Sequence, residues 1–183
     1  MKYMLDTNTF WRVMELYFKS DTSEILSLLN NGKFEFFIPQ IVGMGIYSVL
    51  GKKMRGNLKV TNVCSRLIGD SQICNKTWNA KAIPKLNKRE SRFFLATIKS
   101  VLDNQHNDFK INIIPIDKEI LETGRELLER YAPKQDLHSL DATIAACAIE
   151  KMKTLENLTV FTADKALFNI LKIENVPVVK TLN

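Results

Sequence analysis

The first ten residues, Met1-Lys2-Tyr3-Met4-Leu5-Asp6-Thr7-Asn8-Thr9-Phe10, constrain the fold more than any other stretch. A short apolar run ends in a carboxylate and a set of small polar side chains. Tyr3, Met4 and Leu5 are too few for a helix and show no polar alternation, as in a strand buried on both faces of a parallel sheet. From Asn8 to Lys19 the side chains of Trp11, Met14, Leu16, Tyr17 and Phe18 return at roughly helical spacing, and Thr7 or Asn8 can cap that helix. Asp6 therefore stands where a strand stops and a helix begins, the edge at which open α/β sheets bind ligands.

The rest of the chain repeats that grammar. Asp21-Thr22-Ser23-Glu24 supplies capping residues for a second short helix, closed by Asn30-Asn31-Gly32. Phe34 to Ile38 reads as a strand, and Pro39 opens a helix through Ile46 and Leu50. Residues 51–87 are punctuated by Gly51, Gly56, Gly69 and Pro84, and one or two short helices are expected there. Lys88 to about Asn104 is an amphipathic helix whose Arg89, Arg92 and Lys99 lie off the apolar stripe. Ile111 to Ile116 is a third strand, followed by a helix capped by Asp117. An alanine-rich helix starts near Ser139, Leu158–Phe161 is a fourth strand, Lys165–Leu171 a short helix, and Val176–Val179 the last strand. Strands alternating with helices predict a three-layer α/β/α domain around a mainly parallel sheet of four to five strands. No linker divides residues 1–183, so a single domain is expected, with a basic, mainly helical elaboration at about 52–104.

Charge is informative once located. The chain carries +6 overall. Between Lys52 and Lys99 there are twelve basic residues against Asp70 and Glu90, and the remainder of the chain is net acidic. Two readings stand: a surface for a polyanion, nucleic acid above all, or a solvated basic face. Within it Lys52, Lys53, Arg55, Lys85, Lys88, Arg89 and Arg92 are the candidate nucleic-acid contacts, and Trp78 is a better stacking candidate than Trp11, which falls on an apolar helical face. No apolar run is long enough for a membrane span, and Asp6, Arg12 and Glu15 break up any signal-peptide pattern, so a cytoplasmic location is expected. Cys64, Cys74 and Cys147 have no zinc-like spacing and read as reduced thiols. His106 and His138 read as surface or capping residues.

Asp6 follows the first strand, Asp164 the fourth, and Asp141 lies in the first turn of the alanine-rich helix. In a parallel sheet those ends lie on one side of the domain, so the three acids can converge. An all-oxygen cluster selects a hard divalent cation, magnesium or manganese. Each acid taken singly also reads as a cap or a complement to a helix dipole.

Three stretches together resemble the PIN-domain ribonucleases, which include the VapC-like toxins. They are Leu5-Asp6-Thr7-Asn8, the run from His138 to Ala146 that contains Ser139-Leu140-Asp141-Ala142, and Phe161-Thr162-Ala163-Asp164-Lys165. The resemblance spans roughly residues 1–50 and 111–183. It implies an endoribonuclease in which Asp6, Asp141 and Asp164 hold Mg2+ or Mn2+, Thr162 bonds a metal ligand or water, and Asn8 orients Asp6. It also implies a homodimer and a small antitoxin-like protein partner. One position departs from the family: the Glu early in the helix after the second strand is replaced by Gly45, or by Met44 in another register. The competing expectation is accordingly a PIN-like RNA-binding or protein-interaction module without catalysis. A receiver-type domain phosphorylated on Asp6 is the third reading.

Overall fold

The computed structural model describes residues 1–19, 34–56, 61–63, 67–68, 72–73, 77–79, 85–107 and 110–181. The short helix expected at 21–31 lies outside them. Two compact units emerge, one formed by Met1–Ile46 with Thr97–Asn183 and the other by Tyr47–Ala96.

The first unit is built on β1 (Lys2–Leu5), whose apolar side chains are buried toward its end. It pairs in parallel with β2 (Glu35–Pro39) on one side and β8 (Leu158–Thr162) on the other. With β7 (Ile111–Ile114) and β9 (Val178–Lys180), the five strands run in the order β7-β2-β1-β8-β9, and every pairing is parallel. The helices are α1 (Thr7–Lys19), α2 (Gln40–Arg55), α3 (Lys88–Leu102), α4 (Lys118–Tyr131), α5 (Ser139–Met152) and α6 (Lys165–Ile173), and with the parallel sheet they give the three-layer α/β/α fold; α2 and α3 each divide between the two units. From β1 the chain moves to β2 and β7 on one side, whereas β8 and β9 lie on the other. The carboxyl ends of β1 and β8 therefore flank the point where strand order reverses, which is where an open α/β sheet leaves a crevice.

Met4, Ile38, Leu158 and Val160 fill the sheet's core, each at most 1% exposed. Helix α5 is buried through Ala142, Ala145, Ala146, Cys147 and Ala148, small side chains that let it sit close to its neighbours. Larger residues there would overpack, at roughly 1–3 kcal/mol each. Burial pushes the Cys147 thiol up to about 12, so it stays protonated within the core. Trp11 is buried in the core, as its place on the apolar face of α1 implies.

In the second unit the reading of 51–87 as one or two short helices does not hold for the described residues. Helix α2 continues to Arg55, and beyond it β3 (Thr61–Val63) pairs antiparallel with β6 (Thr77–Asn79), and β4 (Leu67–Ile68) with β5 (Gln72–Ile73). Thr61, Val63, Ile68, Ile73, Thr77 and Trp78 are β-branched or aromatic, and strands only two or three residues long leave no periodicity to read. Gly56 ends α2 at φ +73°, donating its N–H to the Lys52 carbonyl at 2.9 Å. Helix α3 opens with a reciprocal cap: Asn87 Oδ1 accepts the Glu90 N–H and Glu90 Oε2 accepts the Asn87 N–H, both at 2.8 Å.

Candidate functional site

The crevice is assembled by strand register. Leu5 pairs with Phe161, so the next residues, Asp6 and Thr162, leave β1 and β8 side by side. The Asp6 N–H bonds the Phe161 carbonyl at 3.3 Å, and the Thr9 hydroxyl donates to the same carbonyl at 3.1 Å. Asp6 is 4% exposed and both carboxylate oxygens are engaged. Oδ1 accepts the Thr9 N–H at 2.6 Å and Oδ2 accepts the Thr162 hydroxyl at 2.5 Å. Thr162, fully buried, also accepts the Asp164 N–H on its oxygen at 3.0 Å. One hydroxyl thus ties the two strand-exit acids together.

Asp6 is itself the cap of α1, a role that Thr7 or Asn8 is free to take on sequence grounds. Asn8, expected to orient Asp6, is exposed, and the contacts that hold Asp6 come from Thr9 and Thr162. Asp164 caps α6 in the same way, accepting the Leu167 N–H at 2.8 Å. Capping and site roles coincide because a helix N-terminus favours negative charge whichever use is made of it.

Asp141 lies in the first turn of α5 and is partly buried. Its carboxyl is raised above the usual range, first by burial, then by the charge of Asp164 and, more weakly, of Asp6; His138 opposes the shift. Asp141 and Asp164 share the lining of an open cavity of about 950 Å3. His138 takes the N-cap position of α5 without a side-chain cap bond and pairs with Asp136 at 3.4 Å, an exposed surface contact.

Because its folded-state pKa is raised, Asp141 favours the folded protein below the ordinary carboxyl range, and that advantage is lost as pH rises through the raised value. In EDTA at neutral pH, Asp141→Asn is therefore expected to melt above the wild type, by about 2–4 °C for each kcal/mol relieved. The gap should close as pH falls through the carboxyl range. Calorimetry at several pH values checks this, and a variant less stable at neutral pH would refute it.

Gly45 is occupied by its surroundings rather than merely lacking a side chain. A Cβ there would sit 2.5 Å from Thr7 Oγ1 and 3.3 Å from its Cγ2, whereas Gly43 has nothing within 4 Å. Met44 is 69% exposed. The Thr7 hydroxyl is buried with no hydrogen-bond partner among the described residues. Gly45→Ala should gain about 1 kcal/mol of helix propensity yet lose roughly 1–3 kcal/mol to overpacking, for net destabilisation. Thr7→Ala should relieve it, with a coupling above about 0.5 kcal/mol in a urea double-mutant cycle. Additive effects would mean that the contact is not close.

The seven basic candidates all belong to the second unit. Lys52, Arg55, Lys85, Lys88, Arg89 and Arg92 are exposed and Lys53 is partly buried. Sequence reasoning missed the basic and amide side chains beside the acids themselves: Lys165, Asn169, Lys172 and Gln135 line the same cavity. The signal available is the spacing of Lys165, Asn169 and Lys172, which repeats along one face of a helix.

The family model described as PIN domain matches residues 3–172. This chain belongs to the PIN domain family. Its fold is similar to that of a chain in the crystal structure of VapBC2 from Rickettsia felis bound to a DNA fragment from their promoter, with a TM-score of 0.55 and 18% identity over 100% of each chain. No curated protein matches it. PIN nucleases as a family generally use divalent metal ions. In this PIN domain the donors fit in kind. They are oxygen-only, and Asp141 carries the like-charge repulsion that a cation relieves. Among the described residues, however, no group of three or more acidic, His or Cys side chains is close enough to hold one ion. No helix among them is long and apolar enough to cross a membrane.

Proposed function

We propose that this PIN domain is a metal-dependent endoribonuclease that hydrolyses RNA phosphodiester bonds at the β1/β8 crevice. The observation that carries the reading is the linked set of acids: the Asp6 carboxylate accepts the Thr162 hydroxyl, which in turn accepts the main-chain N–H of Asp164, and Asp141 is raised by burial and then by the charges of Asp164 and Asp6. Asp6, Asp141 and Asp164 would hold Mg2+ or Mn2+, drawing in on the ion from the wider spacing they keep without it. The ion, when bound, supplies an activated water and offsets charge building on the phosphate. Thr9 and Thr162 fix Asp6 from below, so its oxygens present a set direction without reorganisation. Lys52, Lys53, Arg55, Lys85, Lys88, Arg89 and Arg92 would contact the RNA backbone, making binding fall steeply with salt. The likeness to a chain of the VapBC2 complex is in keeping with a small antitoxin-like partner, and a homodimer is part of the same proposal. A phospho-acceptor role for Asp6 is disfavoured, since Asp6-Thr7-Asn8 lacks the second Asp that such a site places beside the first.

Gly45 favours a second reading, a PIN domain that binds RNA or protein without cutting. The test is cleavage of mixed-sequence single-stranded RNA in Mn2+ by the wild type beside Asp6→Asn. Cleavage by the wild type alone supports the nuclease. Silence from both, with cleavage appearing in Thr7→Ala/Gly45→Glu, would support the second reading. Thr7 must be trimmed in that variant, because the Glu stem would otherwise strike it.

A further inference from the structure

The cavity beside the acids has a second wall that the acid site does not explain. Helix α6 presents Lys165, Asn169 and Lys172 to it, spaced four and three residues apart and hence on one face, and Gln135, on the connection into α5, lines it too. All three α6 side chains are exposed, and neither lysine is in an ion pair among the described residues. The Lys172 ammonium lies 5.7 Å from the centroid of the Phe168 ring and that of Lys180 lies 6.0 Å from the same centroid, so a third amine gathers at this end.

Resting on the nuclease reading, we propose that the RNA strand leaves the acids along α6, its successive phosphates held by Lys165 and Lys172 and its sugars or bases met by Asn169 and Gln135. Seven residues of helix place the two lysine Cα atoms about 10 Å apart along the axis, enough for each to engage its own phosphate. The lining supports an anion only once the acids are neutralised. Asp136, Asp141 and Asp164 against Lys165 and Lys172 give a net charge of −1, and a bound divalent ion makes it +1. RNA affinity should therefore depend on metal as well as on salt. An acidic peptide offers the same negative charge but neither the regular phosphate repeat nor bases for the amides to meet.

The experiment measures anisotropy of a labelled twelve-nucleotide single-stranded RNA with full-length protein in Ca2+, which neutralises carboxylates but activates bound water poorly and so leaves the probe intact. Lys165→Gln/Lys172→Gln is compared with Lys118→Gln/Arg125→Gln, which removes two exposed charges from α4. The cavity pair should weaken binding at least about tenfold and flatten the plot of log K against log salt by about 1.4, the value for two phosphates on a single strand. The α4 pair should change the slope by much less. Equal losses in both variants would show a bulk charge effect and overturn the assignment. So would wild-type RNA binding by the cavity variant, and if that variant had instead lost a Glu-rich peptide, the wall would belong to a protein partner. Absence of RNA binding by the wild type itself would overturn the nuclease reading with it.

Discussion

Asp6→Asn is expected to lower RNA cleavage roughly 10²–10³-fold while leaving the melting temperature within a few degrees of the wild type. The two halves of that result come from different atoms. Asparagine keeps an acceptor for the Thr9 N–H, now held at 2.6 Å, and puts an amide where Oδ2 meets Thr162. The Thr162 hydroxyl has two lone pairs, so it can turn to accept from that amide while still accepting from Asp164. Shape and bonding survive, but one of the charges that would hold a divalent ion does not. Removing it also removes one of the charges that raise Asp141. The loss should fall on kcat/KM and be partly recovered by raising Mn2+. Single-turnover rates measured alongside calorimetry decide the matter: wild-type cleavage by the variant would place the nuclease centre elsewhere, and a large drop in melting temperature would make lost activity uninformative.

Why Asp6 is legible in the sequence, while its anchors are not, follows from the range of each interaction. A carboxylate at the end of a buried strand is local information, and so are the positions of Asp141 and Asp164 at helix starts. Their placement on one side of the sheet follows from parallel pairing alone, since every strand then ends on the same side. The Thr162 bond to Asp6 joins residues 156 apart in sequence and depends on the β1/β8 register. Thr9 is hidden for another reason. With Asp6, Thr7 and Asn8 adjacent, three residues compete for one cap, and only geometry shows that Asp6 takes it.

Gly45 shows the opposite limit. Likeness to the family registers a missing carboxylate but not what replaces it. The structure fills the space with Thr7, so restoring the acid needs a second substitution. The segment over 51–87 misleads because its signals are pairings rather than periods. Two-residue strands such as Leu67–Ile68 carry no alternation, and glycines there look alike whether they end helices or turn strands. Charge misleads more gently. The basic density of 52–99 draws attention away from two lysines on α6 that line the same cavity as Asp141 and Asp164.

Thr162→Val is expected to lower stability by roughly 2–4 kcal/mol and to lose most activity, although valine matches threonine in shape and suits a strand at least as well. Thr162 is fully buried. Its hydroxyl gives a proton to Asp6 Oδ2 at 2.5 Å and takes one from the Asp164 N–H at 3.0 Å. Valine therefore leaves two buried or partly buried groups without their partner at once, each worth roughly 1–3 kcal/mol when unsatisfied. For a chain of this length that is a fall of roughly 5–15 °C in melting temperature. The catalytic loss has a separate cause. Without the hydroxyl, Asp6 keeps only the Thr9 N–H and can turn about it, and loosening a ligand's support typically costs about 10–100-fold in metal affinity or activity. Thr162→Ser separates the two effects, since it keeps the hydroxyl and gives up a methyl group, at about 1 kcal/mol. It should retain cleavage within a few-fold and bind Mn2+ as the wild type does, measured by calorimetric titration. If Ser and Val variants lost metal affinity and activity alike, Thr162 would matter to this crevice only as packing, and the hydrogen-bonded link between the two strand-exit acids would have no part in positioning Asp6.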